Sequence, residues 1–282
     1  MKHFFIVTRN MNERNAGLIR EMEEQIRNKG GTASHCLYIE DTAGRQPLDL
    51  PFPKETECVI SVGGDGTMVR AAQSIGDREY PLIGINRGHL GYLCELADSE
   101  VPEAIDRLMA DSYEIEDRMM LEGRMNGDRP TRHEALNDIV ITAADGLNLI
   151  NLTVYINGNL LYSYNCDGMI LSTPTGSTAY NLSANGPIVD PKTRVILLNP
   201  LNPHTLNSRA IVIDAEDELI VELGVRHDDV NETATVAFDG FHRMQMKRGD
   251  RVLIKKSDRV TRMIRLSQMN FLERISVKLR ES

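Results

Sequence analysis

A chain of 282 residues can hold one large domain or two ordinary ones, and it is long enough to bury a sizeable core. Charged residues make up 26% and hydrophobic residues 41%, both ordinary for a globular protein, while the net charge of −9 argues against general nucleic-acid or membrane-surface binding. A polyanionic ligand would have to be drawn in by local dipoles, a few basic side chains or a metal. The four cysteines, Cys36, Cys58, Cys94 and Cys166, stand far apart with no C-x-x-C pair, and three of them sit in apolar, strand-like runs. They read as buried free thiols rather than a disulfide framework. The apolar run at residues 4–7 is too short for a signal segment, and no stretch approaches a membrane span. The expectation is a soluble cytoplasmic protein.

The first quarter alternates strand and helix. Residues 3–8 read as a buried strand and 12–30 as a helix, with Leu18, Met22 and Ile26 four apart on one face and Gly30-Gly31 closing it. A second strand is expected at 32–39, a Pro-, Asp- and Gly-rich loop at 41–56, and a strand at 58–62. That strand stops at Gly63-Gly64-Asp65-Gly66-Thr67, after which 68–75 reads as a helix. A strand that breaks into a glycine turn and feeds a helix gathers backbone N–H groups and a helix N-terminus at one point, which favours phosphate. Glycine serves such a turn by allowing φ > 0 and by letting phosphate approach the backbone. Asp65 is the odd feature: a carboxylate in a phosphate cradle repels its ligand unless it handles a metal or the proton of an attacking hydroxyl. A dinucleotide fingerprint needs a small residue where Val69 stands, and a P-loop needs Gly-Lys-Ser/Thr where Gly66-Thr67-Met68 stand. The chemistry indicated is phosphoryl transfer, against the plainer reading of a tight strand–helix turn. A strand at 81–85, a second glycine-studded turn, Asn86-Arg87-Gly88-His89-Leu90-Gly91, and a helix at 99–110 follow. Strands separated by helices imply an α/β domain with a parallel, Rossmann-like sheet, whose ligands sit beyond the carboxyl ends of its strands.

Near residue 113 the rhythm changes to short β runs with turn signals, among them Asn126-Gly127 and Asn157-Gly158. Strands are expected at 135–142, 151–156, 159–164, 168–172, 195–198, 210–213, 219–223, 234–238 and 251–255. This half is expected to form a β-rich antiparallel sandwich. Residues 270–280 return to helical spacing through Phe271, Ile275 and Leu279. The division expected is 1–112, an α/β domain; 113–265, a β-rich domain; and 266–282, a C-terminal helix docking back on the first. Within the β half, Thr173-Pro174-Thr175-Gly176-Ser177-Thr178-Ala179-Tyr180 and the following Ser183 bring an unusual density of hydroxyls. They suit ribose, amide and phosphate groups; alternatively they cap a helix, from Ser177 or Thr178, and satisfy its backbone.

Five stretches share one order: Gly63 to Thr67, Asn86 to Gly91, Leu136-Asn137-Asp138, Thr173 to Tyr180, and Pro203-His204-Thr205-Leu206 with Arg209 after it. In this they resemble the NAD kinase family, which uses ATP to phosphorylate the adenosine-side 2′-hydroxyl of NAD, giving NADP. The glycine turn alone is shared with diacylglycerol-type lipid kinases and loosely with phosphofructokinases; the Thr173 string is far more specific. The resemblance implies that Asp65 is the catalytic base and lies with Gly66 against NAD. Arg70 would reach toward phosphate, and Asn137 and Asp138 would hold the adenosine portion. Asp167 would contact the nicotinamide side, with Asn165 near it, and Thr178, Ala179, Tyr180 and Ser183 would line the NAD pocket. Gly63, Gly64, Gly66 and Thr67 would face the ATP phosphates. It also implies a homotetramer or homodimer whose site is completed by a neighbouring subunit, and Mg²⁺ arriving with ATP, since no His/Cys/carboxylate cluster here has metal-ligand spacing. His89 and His204 read as structural. The sequence departs from the family at Asn185, where glycine is usual; at Ala210, where proline often follows the arginine; and at Phe241, where glutamine commonly follows Asp-Gly. A lipid or sugar kinase is opposed by the Thr173 string and by the want of a basic or amphipathic membrane-facing segment. A non-catalytic NAD(P) sensor is weakened by the intact Asp65.

Overall fold

The computed structural model describes residues 1–38, 50–88, 91–125, 131–144, 149–205, 208–224, 233–266 and 269–281. The chain divides into two compact units, one holding the residues up to Asp117 with Thr261–Ser282, the other Arg118–Val260.

In the first unit the elements run β1 (His3–Thr8), α1 (Glu13–Asn28), β2 (Thr32–Leu37), β3 (Cys58–Gly63), α2 (Asp65–Ile75), β4 (Leu82–Asn86) and α3 (Val101–Met109). The strands pair in the order β2-β1-β3-β4, all parallel. Cys58 to Val62 are buried without alternation, as a strand covered on both faces requires. Asn12 caps α1 by accepting the Asn15 N–H at 2.9 Å, and Gly30, at φ +81°, ends it in the left-handed conformation that glycine adopts without strain. α1 buries Leu18, Ile19, Met22 and Ile26 in one apolar cluster with Ile6, Ile60 and Ile83 of the sheet and Ile105 and Leu108 of α3. α2 buries Met68, Val69 and Ala71 outside that cluster, on the opposite face. The helix starts at Asp65, three residues before the sequence places it, because Gly64 takes the extended N-cap position without a capping side chain.

The second unit contains β6 (Thr131–Ala135), β7 (Asp138–Ala143), β8 (Ile150–Ile156), β9 (Asn159–Cys166), β10 (Gly168–Ser172), α4 (Tyr180–Ser183), β11 (Val195–Leu201), β12 (Ile211–Asp214), β13 (Leu219–Leu223), β14 (Thr233–Phe238) and β15 (His242–Lys247). A long strand, here β5 (Glu114–Met125), enters this unit, and β16 (Arg251–Arg265) leaves it, so that Met263 pairs with Leu82 in the first unit. The last element is α5 (Phe271–Glu281), in the first unit. One antiparallel sheet runs β12-β11-β10-β7-β14-β15; β16-β13-β8-β9 form the other, and a single apolar core lies between them, with Ile139, Met169 and Val236 meeting Leu152, Val154 and Val221. The α/β-plus-antiparallel-sandwich class read from the sequence is the class observed. The Asn157-Gly158 turn is also as read: both residues are left-handed, φ 49° and 78°, and join β8 to β9.

Several boundaries differ. The strand expected at 135–142 is two strands, β6 and β7, broken at Leu136-Asn137 by hydrogen bonds described below. β16 runs ten residues past its expected end, because Lys256 and Arg259 are paired with Glu216 and Glu134 rather than being loop charges. β5 and β15 were not foreseen. In place of a capped helix, the hydroxyl-rich string forms a 3₁₀ turn, Thr175–Thr178, then α4, neither with a side-chain cap. Ile39, the Asn126-Gly127 turn and most of the 41–56 loop lie outside the described residues, as do His89, Leu90 and Leu206.

Candidate active site

Two clusters gather the singled-out residues, one in each unit. In the first, Gly63 ends β3 beside Asn86, its register partner at the end of β4, so both glycine-bearing turns leave the same carboxyl edge of the sheet. None of Gly63, Gly64 and Gly66 has a positive φ, so the conformational argument for glycine does not apply here. Space does: a Cβ on Gly63 would lie 2.4 Å from the Thr67 hydroxyl, whereas Gly64 and Gly66 face open space. That opening is where a ligand can meet bare backbone.

Asp65 is the first residue of α2, where its charge suits the helix dipole. Its Oδ2 accepts the Tyr92 N–H at 2.7 Å, and its Oδ1 accepts those of Leu93 at 3.2 Å and Cys94 at 3.0 Å. A Cβ on Gly91 would sit 2.1 Å from Oδ1. One carboxylate thus explains why the second turn ends in glycine, and two motifs that look separate in the sequence are one structure. Arg70 does not stand out into solvent: it is 5% exposed, packed within α2's buried face.

In the second unit the organising group is again an aspartate. Asp239 accepts the N–H groups of Leu136 at 2.8 Å, Asn137 at 2.7 Å and Asp138 at 3.1 Å, and its own N–H donates to the Asp138 carbonyl at 2.9 Å. Asp239 and Gly240, at φ 49° and 74°, make the turn between β14 and β15. The sequence reading left Asp239 out of the site; its only signal was the Asp-Gly pair. Burial, with the Asp239 charge second, pushes the Asp138 carboxyl up to about 8, so its neutral form is favoured at pH 7. Thr173 donates its hydroxyl to the Leu136 carbonyl at 2.6 Å and its N–H to the Asn137 carbonyl at 2.9 Å. A Cβ on Gly176 would lie 2.1 Å from that same Asn137 carbonyl. Residues 136–138, 173–176 and 239 therefore form one unit of backbone.

The hydroxyls divide by role. Those of Ser172, Thr173, Ser177 and Thr178 donate to chain carbonyls, so most of the string supports its own backbone. Tyr180 and Ser183 are exposed, Tyr180 by 47%, and face outward from α4. Asn165 and Asp167 are not brought to this cluster. They both precede the start of β10, paired with Asn151 and Asn202, while Thr173 follows its end; five residues of extended strand, about 17 Å, separate the two groups. His204, whose N–H donates to the Asn165 carbonyl, shares that far end. Among the described residues, no group of three His, Cys, Asp or Glu side chains could hold a metal ion.

Comparison with known proteins decides the family. A model of the ATP-NAD kinase N-terminal domain matches residues 6–113, and one of the C-terminal domain matches 136–266. The NAD kinase of Agathobacter rectalis is 42% identical over 280 residues, covering 99% of each chain. The chain belongs to the NAD kinase family. The NAD kinase of Lachnospira eligens is 38% identical over 294 residues, 99% of this chain and all of its own. The fold resembles yeast NADH kinase solved with NADH (TM-score 0.85, 21% identity, 99% of this chain and 88% of that one). It also resembles an NAD kinase from Archaeoglobus fulgidus solved with ATP (TM-score 0.78, 22% identity, 99% of both).

Within the NAD kinase frame, one departure now has a cause. Asn185 stands where the family usually has glycine, and its φ is +59°. That conformation is free for glycine and tolerated by asparagine, so the backbone is preserved. Nothing in the structure explains Ala210 after Arg209. Phe241 closes the turn begun by Asp239, its N–H donating to the Phe238 carbonyl at 2.9 Å. The glutamine common at that position in NAD kinases is thus replaced without loss of the turn.

Proposed function

We propose that this chain transfers the γ-phosphoryl group of ATP to the adenosine-side 2′-hydroxyl of NAD, giving NADP and ADP. The observation that carries the reading is Asp65, a carboxylate at a helix start, between glycines with open backbone, clasped by three amides. Phosphoryl transfer proceeds through a loose transition state, so positioning and charge stabilisation outweigh covalent chemistry. Gly63, Gly64, Gly66 and Thr67 meet the ATP phosphates. The Asp65 and Gly66 N–H groups, in the first turn of α2, have no intrahelical acceptor and point to that anion. Asp65 Oδ1 already takes two amides, whereas Oδ2 takes one and keeps a lone pair for the substrate hydroxyl. Oδ2 orients the 2′-hydroxyl and accepts its proton as the oxygen bonds to phosphorus and ADP leaves.

Asn137 and Asp138 hold the adenosine side, the neutral Asp138 carboxyl being able to donate as well as accept. Thr178, Ala179, Tyr180 and Ser183 line the NAD pocket, where the exposed Tyr180 ring offers a stacking face. Arg70, buried in α2, adds positive charge behind the turn rather than a direct contact. Asn165 and Asp167, a strand's length from these residues, serve the pocket of a second copy in a homodimer or homotetramer. A divalent ion, Mg²⁺, would be carried by the ATP phosphates and would neutralise their charge during transfer; among the described residues no group of three His, Cys, Asp or Glu side chains could cage one. The four cysteines are free thiols, which suits the reducing cytoplasm.

The test is incubation of the purified protein with NAD, ATP and Mg²⁺, reading NADP through an NADP-specific dehydrogenase. NADP formation is the expected result; NAD binding without NADP would leave a sensor instead.

A further inference from the structure

The C-terminal helix holds to the first unit in an unexpected way. Of the apolar residues at helical spacing, Phe271 and Ile275 are only half-buried and Leu279 is 62% exposed. What α5 buries fully is a charge. The Arg274 side chain is 3% exposed, donating from one guanidinium nitrogen to the Cys94 carbonyl at 3.1 Å and from another to Glu95 Oε1 at 3.3 Å. Glu95 is itself 8% exposed and is held from the other side by Arg265, at 2.5 Å, and by the Leu266 N–H at 3.1 Å. One turn further along the same face of α5, the Lys278 ammonium lies 5.7 Å from the centre of the Tyr92 ring. The start of α5 is fixed by a reciprocal cap, Asn270 and Glu273 each accepting the other's N–H.

Tyr92, Leu93 and Cys94 are the residues whose N–H groups clasp Asp65. The Cys94 carbonyl and the Tyr92 ring stand at the two ends of the three-residue segment, so holding both from α5 limits how its amides can turn away from Asp65. A buried arginine adds little net stability, because losing its hydration offsets much of the pairing, but its planar fork fixes geometry well. Burial draws the Arg274 guanidinium below its ordinary value, with the Arg265 charge acting the same way and the Glu95 and Asp65 carboxylates opposing.

We propose that α5 is a positioning element for phosphoryl transfer, with Arg274 as its principal positioning residue and Lys278 as its second. Acting through Cys94, Glu95 and Tyr92, they hold the amide cradle that aims Asp65. This rests on the assignment of Asp65 as the base. Arg274→Lys keeps the charge but cannot reach both acceptors as a fork. Its kcat is expected to fall about 10–100-fold, the cost of misplacing a catalytic group by roughly 1 Å, with the KM values for NAD and ATP moving far less. Hydrogen exchange should quicken at the amides of 92–95 while β1 and β3 stay protected. Lys278→Met should give a smaller loss of the same kind, and it carries the test if Arg274→Lys does not fold. A folded Arg274→Lys protein with near wild-type kcat, or a loss confined to KM, would overturn the proposal; so would unaltered kcat and exchange in Lys278→Met. Wild-type protein that makes no NADP would refute the reaction itself, a separate outcome.

Discussion

Two aspartates do the same mechanical work in different units. Asp65 and Asp239 each accept three consecutive backbone N–H groups, and each fixes a turn that carries family residues. For Asp65 the support and the proposed chemistry share one carboxylate. Asp65→Asn leaves a single carbonyl oxygen for three amides, and an unsatisfied buried amide costs on the order of 1–3 kcal/mol. The variant is expected to fold with a lowered Tm, to bind NAD in calorimetry, and to lose about 10²–10⁴-fold in kcat. Near-normal kcat would remove Asp65 as the base. At Asp138 the prediction concerns pH. Its carboxyl, pushed up to about 8, keeps its proton in the fold but gives it up in the unfolded chain above roughly pH 4. The folded state then binds more protons than the unfolded one, so this group's contribution to stability falls as pH rises across that window. Asp138→Asn mimics the protonated form and should melt above wild type at pH 8 and level with it near pH 4. Parallel melting curves for the two proteins across that range would show that Asp138 is ionised in the fold.

Among the elements, the β3–α2 turn separates glycines by purpose. Alanine at 66 meets nothing within 4 Å and joins a helix, where it should add roughly 0.5–1 kcal/mol. We expect Gly66→Ala to raise Tm yet weaken ATP, its methyl standing where phosphate approaches; an unchanged KM for ATP would take Gly66 out of that site. Alanine at 91 points at Asp65 Oδ1 from 2.1 Å, so Gly91→Ala should lower both Tm and kcat. Much of this was legible in the sequence: the parallel strands by their unbroken apolar runs, α1 by its period and cap, the β8–β9 hairpin by Asn-Gly. What was hidden depends on partners remote in sequence. Composition shows that Thr173 and Ser177 carry hydroxyls, but not that these are spent on the carbonyls of Leu136 and Val189. Lys256 and Arg259 look like a strand's end until Glu216 and Glu134 are known to face them. Asp239 was missed because its work is done a hundred residues away, on backbone, where side-chain motifs leave no trace. β15 could have been found, since residues 242–247 alternate buried and exposed without exception.

At the scale of the molecule, Asp167 offers a test of assembly. If Asn165 and Asp167 serve a neighbour's pocket, Asp167→Ala and Asp65→Asn proteins, each nearly inactive, should regain activity when unfolded and refolded together. A mixed oligomer then pairs an intact Asp65 from one subunit with an intact Asp167 from the other. No recovery on mixing, with mixed oligomers shown to form, would place both residues in the same subunit's site. The order in which the chain is made bears on the first unit. Its sheet and the helix packed on residues 92–95 draw on Thr261–Ser282, so these parts are made after Arg118–Val260. While Arg118–Val260 is being translated, on the order of 10–30 s at ribosomal rates, the amino-terminal part of the first unit waits without α5. A nascent chain therefore carries the Gly63–Thr67 turn early and α5 late, and a ribosome stalled before Phe271 leaves the amides around Asp65 without the Arg274 contact.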